Sequence, residues 1–242
     1  MSTRLLTDTI FAAQHPFCVE IARTASQLHE AFRLRYQVYC VERGYEQGEN
    51  GEEYDAYDDQ SMHALLRTTD DGEVIGTIRV IGPDTKHPGR GLPVQDLVDP
   101  ALLASVPLRR AGEMSRMALS KRKRRADIDP MVLRMALWRG VVAMSAEMGL
   151  THWLAVIEPQ SIRLHARTGI YFDEVGPRVS HHGIRQPMVG KIDRVLRQLH
   201  AERPLIWKYV TDDGRWYAEP SPTPLGQALL GKNLLGRSLL AA

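Results

Sequence analysis

Three arginines and one glutamate stand where the surrounding residues mark an interior. In the segment from Thr24 to Arg43, Leu28, Phe32, Arg35 and Tyr39 recur at helical spacing, and Arg35 is the one charged member of that stripe. Arg79 interrupts "VIGTIRVIG", and Glu113 and Arg116 interrupt "GEMSRMAL", two runs that otherwise read as buried strands. A guanidinium cannot shed its proton, so burying one requires carboxylates or several carbonyls around it. "EYDAYDD" supplies Asp55 and Asp58. Ion pairs that only brace the scaffold would explain each position singly. A polar pocket at the sheet's edge, holding a substrate carboxylate or carbonyl, explains all of them together. One geometric conflict arises. Residues i and i+3 of a regular strand face opposite sides, so Glu113 and Arg116 share a cavity only if the strand carries a bulge; otherwise one supports the site from behind.

The elements that must position these groups follow from pattern. "CVEIA" predicts a first strand, and Thr24 with Gln27 forms a capping box for a helix to about Arg43. Residues 44–61 are Gly-rich and acidic, a loop. "HALLRTT", the turn "DDG" and "EVIGTIRVIG" predict a strand pair. Pro and Gly punctuate 83–110, with room for a short helix near Val94–Leu103. "AGEMSRMAL" is a strand. Asp129 caps, and Pro130 opens, the strongest helix, which Gly149 ends. "THWLAVI", "PQSIRLHARTG", "YFDEVG" and "QPMVGKID" predict strand, helix, strand, strand. The order β-α-β-β-β-α-β-α-β-β implies a mixed sheet with helices on its faces.

The totals exclude several classes. A net charge of +2 over 242 residues gives no ground for nucleic-acid binding, and no basic helix, aromatic platform or zinc spacing supports it. Cys18 and Cys40 make no disulfide framework, and neither cysteines nor histidines have metal-ligand spacing, so no metal is expected. Without a signal-like apolar stretch or a window of ~20 apolar residues, the expected location is cytoplasmic. Residues 1–195 are expected to form the domain and 196–242 an extension. The end of that extension, "LGQALLGKNLLGRSLL", repeats L-G-x-x-L with a five-residue period that drifts ~140° per repeat on a helix, so its leucines form no clean face. It reads as a weakly structured tail, with peripheral contact to a membrane surface or partner as the alternative.

"LRYQVY…Y", "D-x-x-D", "G-x-x-R" and "E-x-S-R", in that order and at these separations, resemble the acyl-homoserine-lactone (autoinducer) synthase family. Arg35, Tyr39 and Tyr45 match that family's helix motif, Asp55 and Asp58 its paired aspartates, Arg79 its strand arginine, and Glu113 and Arg116 its glutamate–arginine pair. Long-chain N-acyl amino acid synthases share the skeleton. "RYQVYCVERGYE" and "RPLIWKYVTDDG" look most like the PEP-CTERM/exosortase-associated acyltransferases. The likeness spans about residues 30–215. Tyr39 and Tyr45 depart from the family's phenylalanine and tryptophan. "KRKRRAD" lacks the glycines of an ordinary acetyltransferase phosphate loop.

The resemblance implies an α/β, GNAT-like three-layer fold with a mixed twisted central sheet and helices on both faces. It also implies transfer of a long fatty acyl group from a thioester to an amine. No tightly bound cofactor is implied; the donor is acyl-phosphopantetheine on acyl carrier protein, or acyl-CoA, and the acceptor a small amino acid. Glu113 is then the candidate base, Arg35, Asp58 and Arg116 the network shaping the amine site, Asp55 and Arg79 further substrate-side groups, and Tyr39 and Tyr45 the cover. The run Lys121, Arg122, Lys123, Arg124 and Arg125 fits an acidic carrier protein steered toward the strand that carries the base. Two alternatives stay open: an acyl-homoserine-lactone synthase using S-adenosylmethionine, and a non-catalytic module that binds carrier protein or fatty acid.

Overall fold

A computed structural model describes residues 15–84, 89–123 and 128–218. Arg124, Arg125 and the L-G-x-x-L repeat therefore lie outside the described residues. Along the chain run β1 (Phe17–Ile21), α1 (Ala25–Arg35), β2 (Ser61–Thr68), β3 (Val74–Ile81), β4 (Ala111–Leu119), α2 (Pro130–Glu147), β5 (His152–Ile157), α3 (Pro159–Arg167), β6 (Asp173–Glu174), β7 (Val179–Ser180), β8 (Ile184–Lys191), α4 (Ile192–Glu202) and α5 (Pro204–Thr211). The sheet order is β1-β2-β3-β4-β5-β8-β6, with β7 paired to β8. Among the described residues only β4 and β5 run parallel; the other pairings are antiparallel. The segment expected to hold one short helix at 94–103 holds two 3₁₀ turns, Pro93–Asp96 and Pro100–Leu103.

Alternation along the strands sends successive side chains to opposite faces. In β2, Leu65 packs with Ala31 and Leu34 of α1, whereas Ala64 and Leu66 join the larger core built on α2. In β5, Leu154 faces a third cluster with Val94 and Leu103, whereas Trp153 and Ala155 face the main core. The result is a sheet sandwiched between α1 with the 93–110 segment on one side and α2 on the other. Leu196 and Leu199 of α4 and Ile206, Trp207 and Val210 of α5 belong to that main core, so packing is continuous across residue 196.

Thr24 caps α1 through the expected box with Gln27. The α-helix ends at Arg35, however, and Tyr36–Glu42 continue as a π-helical turn. A wider turn rotates every side chain after it, and such turns concentrate at functional sites. The buried face is Ala31, Leu34, Arg35 and Val38, while Leu28 and Phe32 are only half-buried. Of the stripe Leu28, Phe32, Arg35 and Tyr39, Arg35 is buried and Phe32 packs at the edge of the cluster of Ala31 and Leu34.

Candidate active site

The conflict between Glu113 and Arg116 is resolved by a bulge. Thr77 pairs with Ala118 and Arg79 with Ser115, so Arg116 and Met117 together oppose Ile78. Arg116 takes φ of 53°, the left-handed region that non-glycine residues enter at a cost of about 1–2 kcal/mol. The inserted residue turns both side chains toward the same space.

That space opens where the parallel pair separates. β4 and β5 are bonded from Ala111↔His152 to Glu113↔Leu154 and no further, although both strands continue. The inner edges of Met114–Met117 and Ala155–Ile157 diverge around a cavity of about 740 Å³. Its size is that of a small-molecule site. Ile78, Met114, Trp138, Val156, Ile157 and Leu164 give it an apolar wall; Tyr39, Tyr45, Glu46, Asp55, Arg79, Glu113 and Arg116 line it as well.

Glu113 is buried, and its Oε2 accepts the Val94 N–H at 2.7 Å. Burial pushes its carboxyl up to about 7, against the pull of the Val94 N–H and of Arg79. The opposing cation is Arg79, not Arg116 of its own strand. Arg116 instead turns away to Glu53 (3.1 Å), Asp55 (3.2 Å) and Glu46 (3.1 Å).

Beneath the cavity the remaining charges form one network. Arg35 Nε donates to Glu53 at 2.6 Å, and its two terminal nitrogens donate to both oxygens of Asp58 at 2.7 and 3.1 Å. Arg79 binds Asp55 bidentately at 2.7 and 3.0 Å, reaches Asp58 at 2.8 Å, and donates Nε to Ser115 at 3.0 Å. Although burial disfavours its charge, the Arg35 bonds hold the Asp58 carboxyl at about 2; Glu53 and Asp55 are lowered likewise by Arg35 and Arg79. His63, buried under Asp58 at 3.4 Å, is pushed down to about 4 by burial and stays neutral.

The geometry divides these groups between the cavity's lining and the layer beneath it. Arg35 and Asp58 do not line the cavity; they lie below its wall, Arg35 fully enclosed. Arg35 spends Nε and both terminal nitrogens on Glu53 and Asp58 and is wholly enclosed, so it does not reach the cavity. Arg79, Asp55 and Arg116 do face the cavity, locked by one another. Glu53 was missed. It is buried, bridges Arg35 to Arg116, and is one of several carboxylates in an acidic loop where sequence singles none out.

Tyr39 and Tyr45 both line the cavity. Tyr39 donates its hydroxyl to Met117 O at 3.0 Å, pinning the π turn to the bulge. Its ring lies between the guanidiniums of Arg43 (5.9 Å) and Arg116 (5.7 Å), and Arg43 also sits 5.7 Å over Tyr45. Arg43 lines the cavity and makes no ion pair among the described residues. His181 and His182, in the β7–β8 turn, line the mouth, His182 being 3.5 Å from Glu46. Cys40 is half-buried and burial raises its thiol, which leaves it a poor nucleophile. Lys121, Arg122 and Lys123 are exposed beyond β4, Lys123 paired with Glu73 at 3.2 Å.

Comparison with known proteins agrees with this fold. Residues 34–134 match the family model of the acetyltransferase (GNAT) domain. Among solved structures, TofI in a ternary complex with an inhibitor and MTA superposes with a TM-score of 0.58 at 22% identity, over 76% of this chain and 95% of that one. BjaI, a CoA-dependent acyl-homoserine lactone synthase, gives 0.60 at 18% over 89% and 99%. FeeM, an N-acyl amino acid synthase from uncultured soil microbes, gives 0.57 at 16% over 77% and 96%. This is a GNAT-like fold. No curated protein matches the chain in sequence. Within a GNAT-like fold the separation of β4 from β5 places the cavity, and the chain's own charges furnish it.

Proposed function

We propose that the protein transfers a long acyl group from the thioester of an acyl carrier protein to the amino group of an amino acid. The observation that carries this reading is Glu113: a carboxyl poised at about 7, buried against the divergence of β4 and β5, facing an apolar-walled cavity. An ammonium group cannot attack until it loses a proton, and a carboxylate near neutrality is matched to that task, directly or through one water. The freed amine adds to the thioester carbonyl, forming the C–N bond. The oxyanion is met by N–H groups left unpaired along the inner edges of β4 and β5. Collapse breaks the C–S bond; the leaving thiolate takes the proton that Glu113 accepted, and the nitrogen sheds its second proton to solvent through the restored carboxylate, leaving the amide.

The alkyl chain lies along Ile78, Met114, Trp138 and Leu164. With Arg35 and Arg79 committed to carboxylates of the chain itself, Arg43 is the guanidinium that meets the acceptor's carboxylate, held by the faces of Tyr39 and Tyr45. Lys121 and Arg122 extend outward at the end of β4, where an acidic carrier would dock. The test is mass spectrometry of products after incubation with long-chain acyl carrier protein, the pooled amino acids and S-adenosylmethionine. An N-acyl amino acid supports the proposal. An acyl-homoserine lactone would replace it with the autoinducer-synthase reading, and an unconsumed thioester with the binding-module reading.

A further inference from the structure

Two buried polar atoms in side chains of the cavity wall have no hydrogen-bond partner among the described residues. One is the indole Nε1 of Trp138, a residue 2% exposed; the other is Nδ1 of His165, 8% exposed. The two rings meet edge to face with centroids 5.6 Å apart. Helical spacing shows which way they face. Arg134 and Trp138, four apart on α2, and Ser161, Leu164 and His165, on one side of α3, all line the cavity. An unpaired polar atom inside a protein is costly, so native folds ordinarily match it. Burial pushes the His165 imidazole down to about 4, with Arg134 adding to the shift, so the ring is neutral near pH 7 and offers an acceptor as well as a donor. The acyl-transfer step uses neither residue.

The pair lies across the sheet from the base. Glu113 reaches the Val94 N–H, on the side of the 93–110 segment. Trp138 packs on Trp153 with centroids 5.4 Å apart, on the side of α2. Residues of both sides line the cavity, which passes through the opening where β4 and β5 part. A thioester attacked beside Glu113 sends its alkyl chain through that opening, between the facing sides of α2 and α3. A saturated chain would seal the indole N–H and the imidazole in hydrocarbon with nothing to bond. A hydroxyl answers both at once: its oxygen accepts from Nε1 of Trp138, and its hydrogen is donated to Nδ1 of His165.

Resting on the acyl-transfer reading, we infer that Trp138 and His165 form a subsite for a hydroxyl on the donor's acyl chain, at a carbon that has crossed the sheet. The preferred donor is then a hydroxylated long-chain acyl thioester and not a saturated one. Neither residue touches the reacting atoms; together they set which chain is accepted.

The test is calorimetry on the full chain, comparing tetradecanoic acid with its isomers hydroxylated at the third carbon, at mid-chain and near the tip. A hydroxyl at mid-chain or near the tip should tighten binding about tenfold, the worth of a hydrogen bond made to buried atoms that are otherwise unpaired. Trp138→Phe and His165→Leu each remove one polar group and keep an apolar side chain of similar shape. In either variant the preferred isomer should lose most of its advantage, while tetradecanoic acid binds at least as well as to the parent. The same chains as carrier-protein thioesters should follow the same order in kcat/KM. Equal binding of saturated and hydroxylated chains by the parent overturns the inference, whether or not the variants fold. A preference confined to the third carbon also overturns it, because the subsite would then lie beside the carbonyl, and so does an advantage that survives both substitutions. A hydroxyl preference in binding without product from any thioester would uphold the subsite and sink the transfer reading. Product formed equally from every chain would do the reverse.

Discussion

Replacing Glu113 by glutamine should make the protein more stable at alkaline pH, and by an amount set by its burial. A carboxyl raised from 4.5 to about 7 on folding contributes stability that is present below pH 4.5 and lost as pH climbs through 7. At about 1.4 kcal/mol per pH unit, the ionised group costs the folded state about 3 kcal/mol by pH 8.5. Glutamine keeps an oxygen for the Val94 N–H but never ionises, so it escapes that cost. The stability gap between the two proteins should therefore widen by about 3 kcal/mol between pH 5 and pH 8.5, or roughly 6–12 °C in Tm for a chain of this size. Its change with pH is the quantity to read, because any fixed difference in packing cancels. Urea unfolding at a series of pH values measures it directly. A gap that stays constant would mean that Glu113 ionises in the fold as it does in water, and the reasoning that makes it a base poised at neutrality would be refuted.

Other expectations follow from the same geometry. Arg35→Met takes one of two cations from each of the buried Glu53 and Asp58, which keep Arg116 and Arg79, and should cost about 3 kcal/mol in urea denaturation. Arg35→Lys should recover only part of this, since an ammonium cannot bind Asp58 through two parallel bonds. Arg43→Met should raise the acceptor KM about tenfold with little change in the KM of the thioester, a split that steady-state kinetics resolves. Neutralising Lys121 and Arg122 together should slow carrier association in stopped-flow measurements, and the deficit should shrink as salt rises; a deficit equal at all ionic strengths would point to a damaged fold.

Much of the site was legible because charge in an apolar period is conspicuous. Arg35, Arg79 and Glu113 each break a pattern that is otherwise uninterrupted, and all three lie in one connected region. The bulge in β4 was legible as one of two alternatives and not as a position. Only the pairing register shows that it falls at Arg116 and Met117. Glu53 was illegible for the opposite reason to Arg35: a carboxylate in a loop of carboxylates violates no pattern, and its selection is made by tertiary contacts with two buried arginines. The π turn at Tyr36–Glu42 has no signature in residue type, so a single α-helix was read from Thr24 to Arg43 where the α-helix ends at Arg35. The competition among cations was also hidden. Which guanidinium remains available to a substrate depends on how many carboxylates the fold delivers to each, and that count left Arg43 rather than Arg35.

The central claim is that Glu113, at the divergence of β4 and β5, takes the acceptor's proton during attack on a thioester. Single-turnover release of the carrier's thiol, followed across pH 5–9 with saturating amino acid, tests it most directly. The account predicts a rate that climbs through an apparent pKa near 7 and, in Glu113→Gln, a rate at least ~10² lower with that inflection gone. Thiol release by the variant at the parent's rate, with the inflection intact, would contradict it.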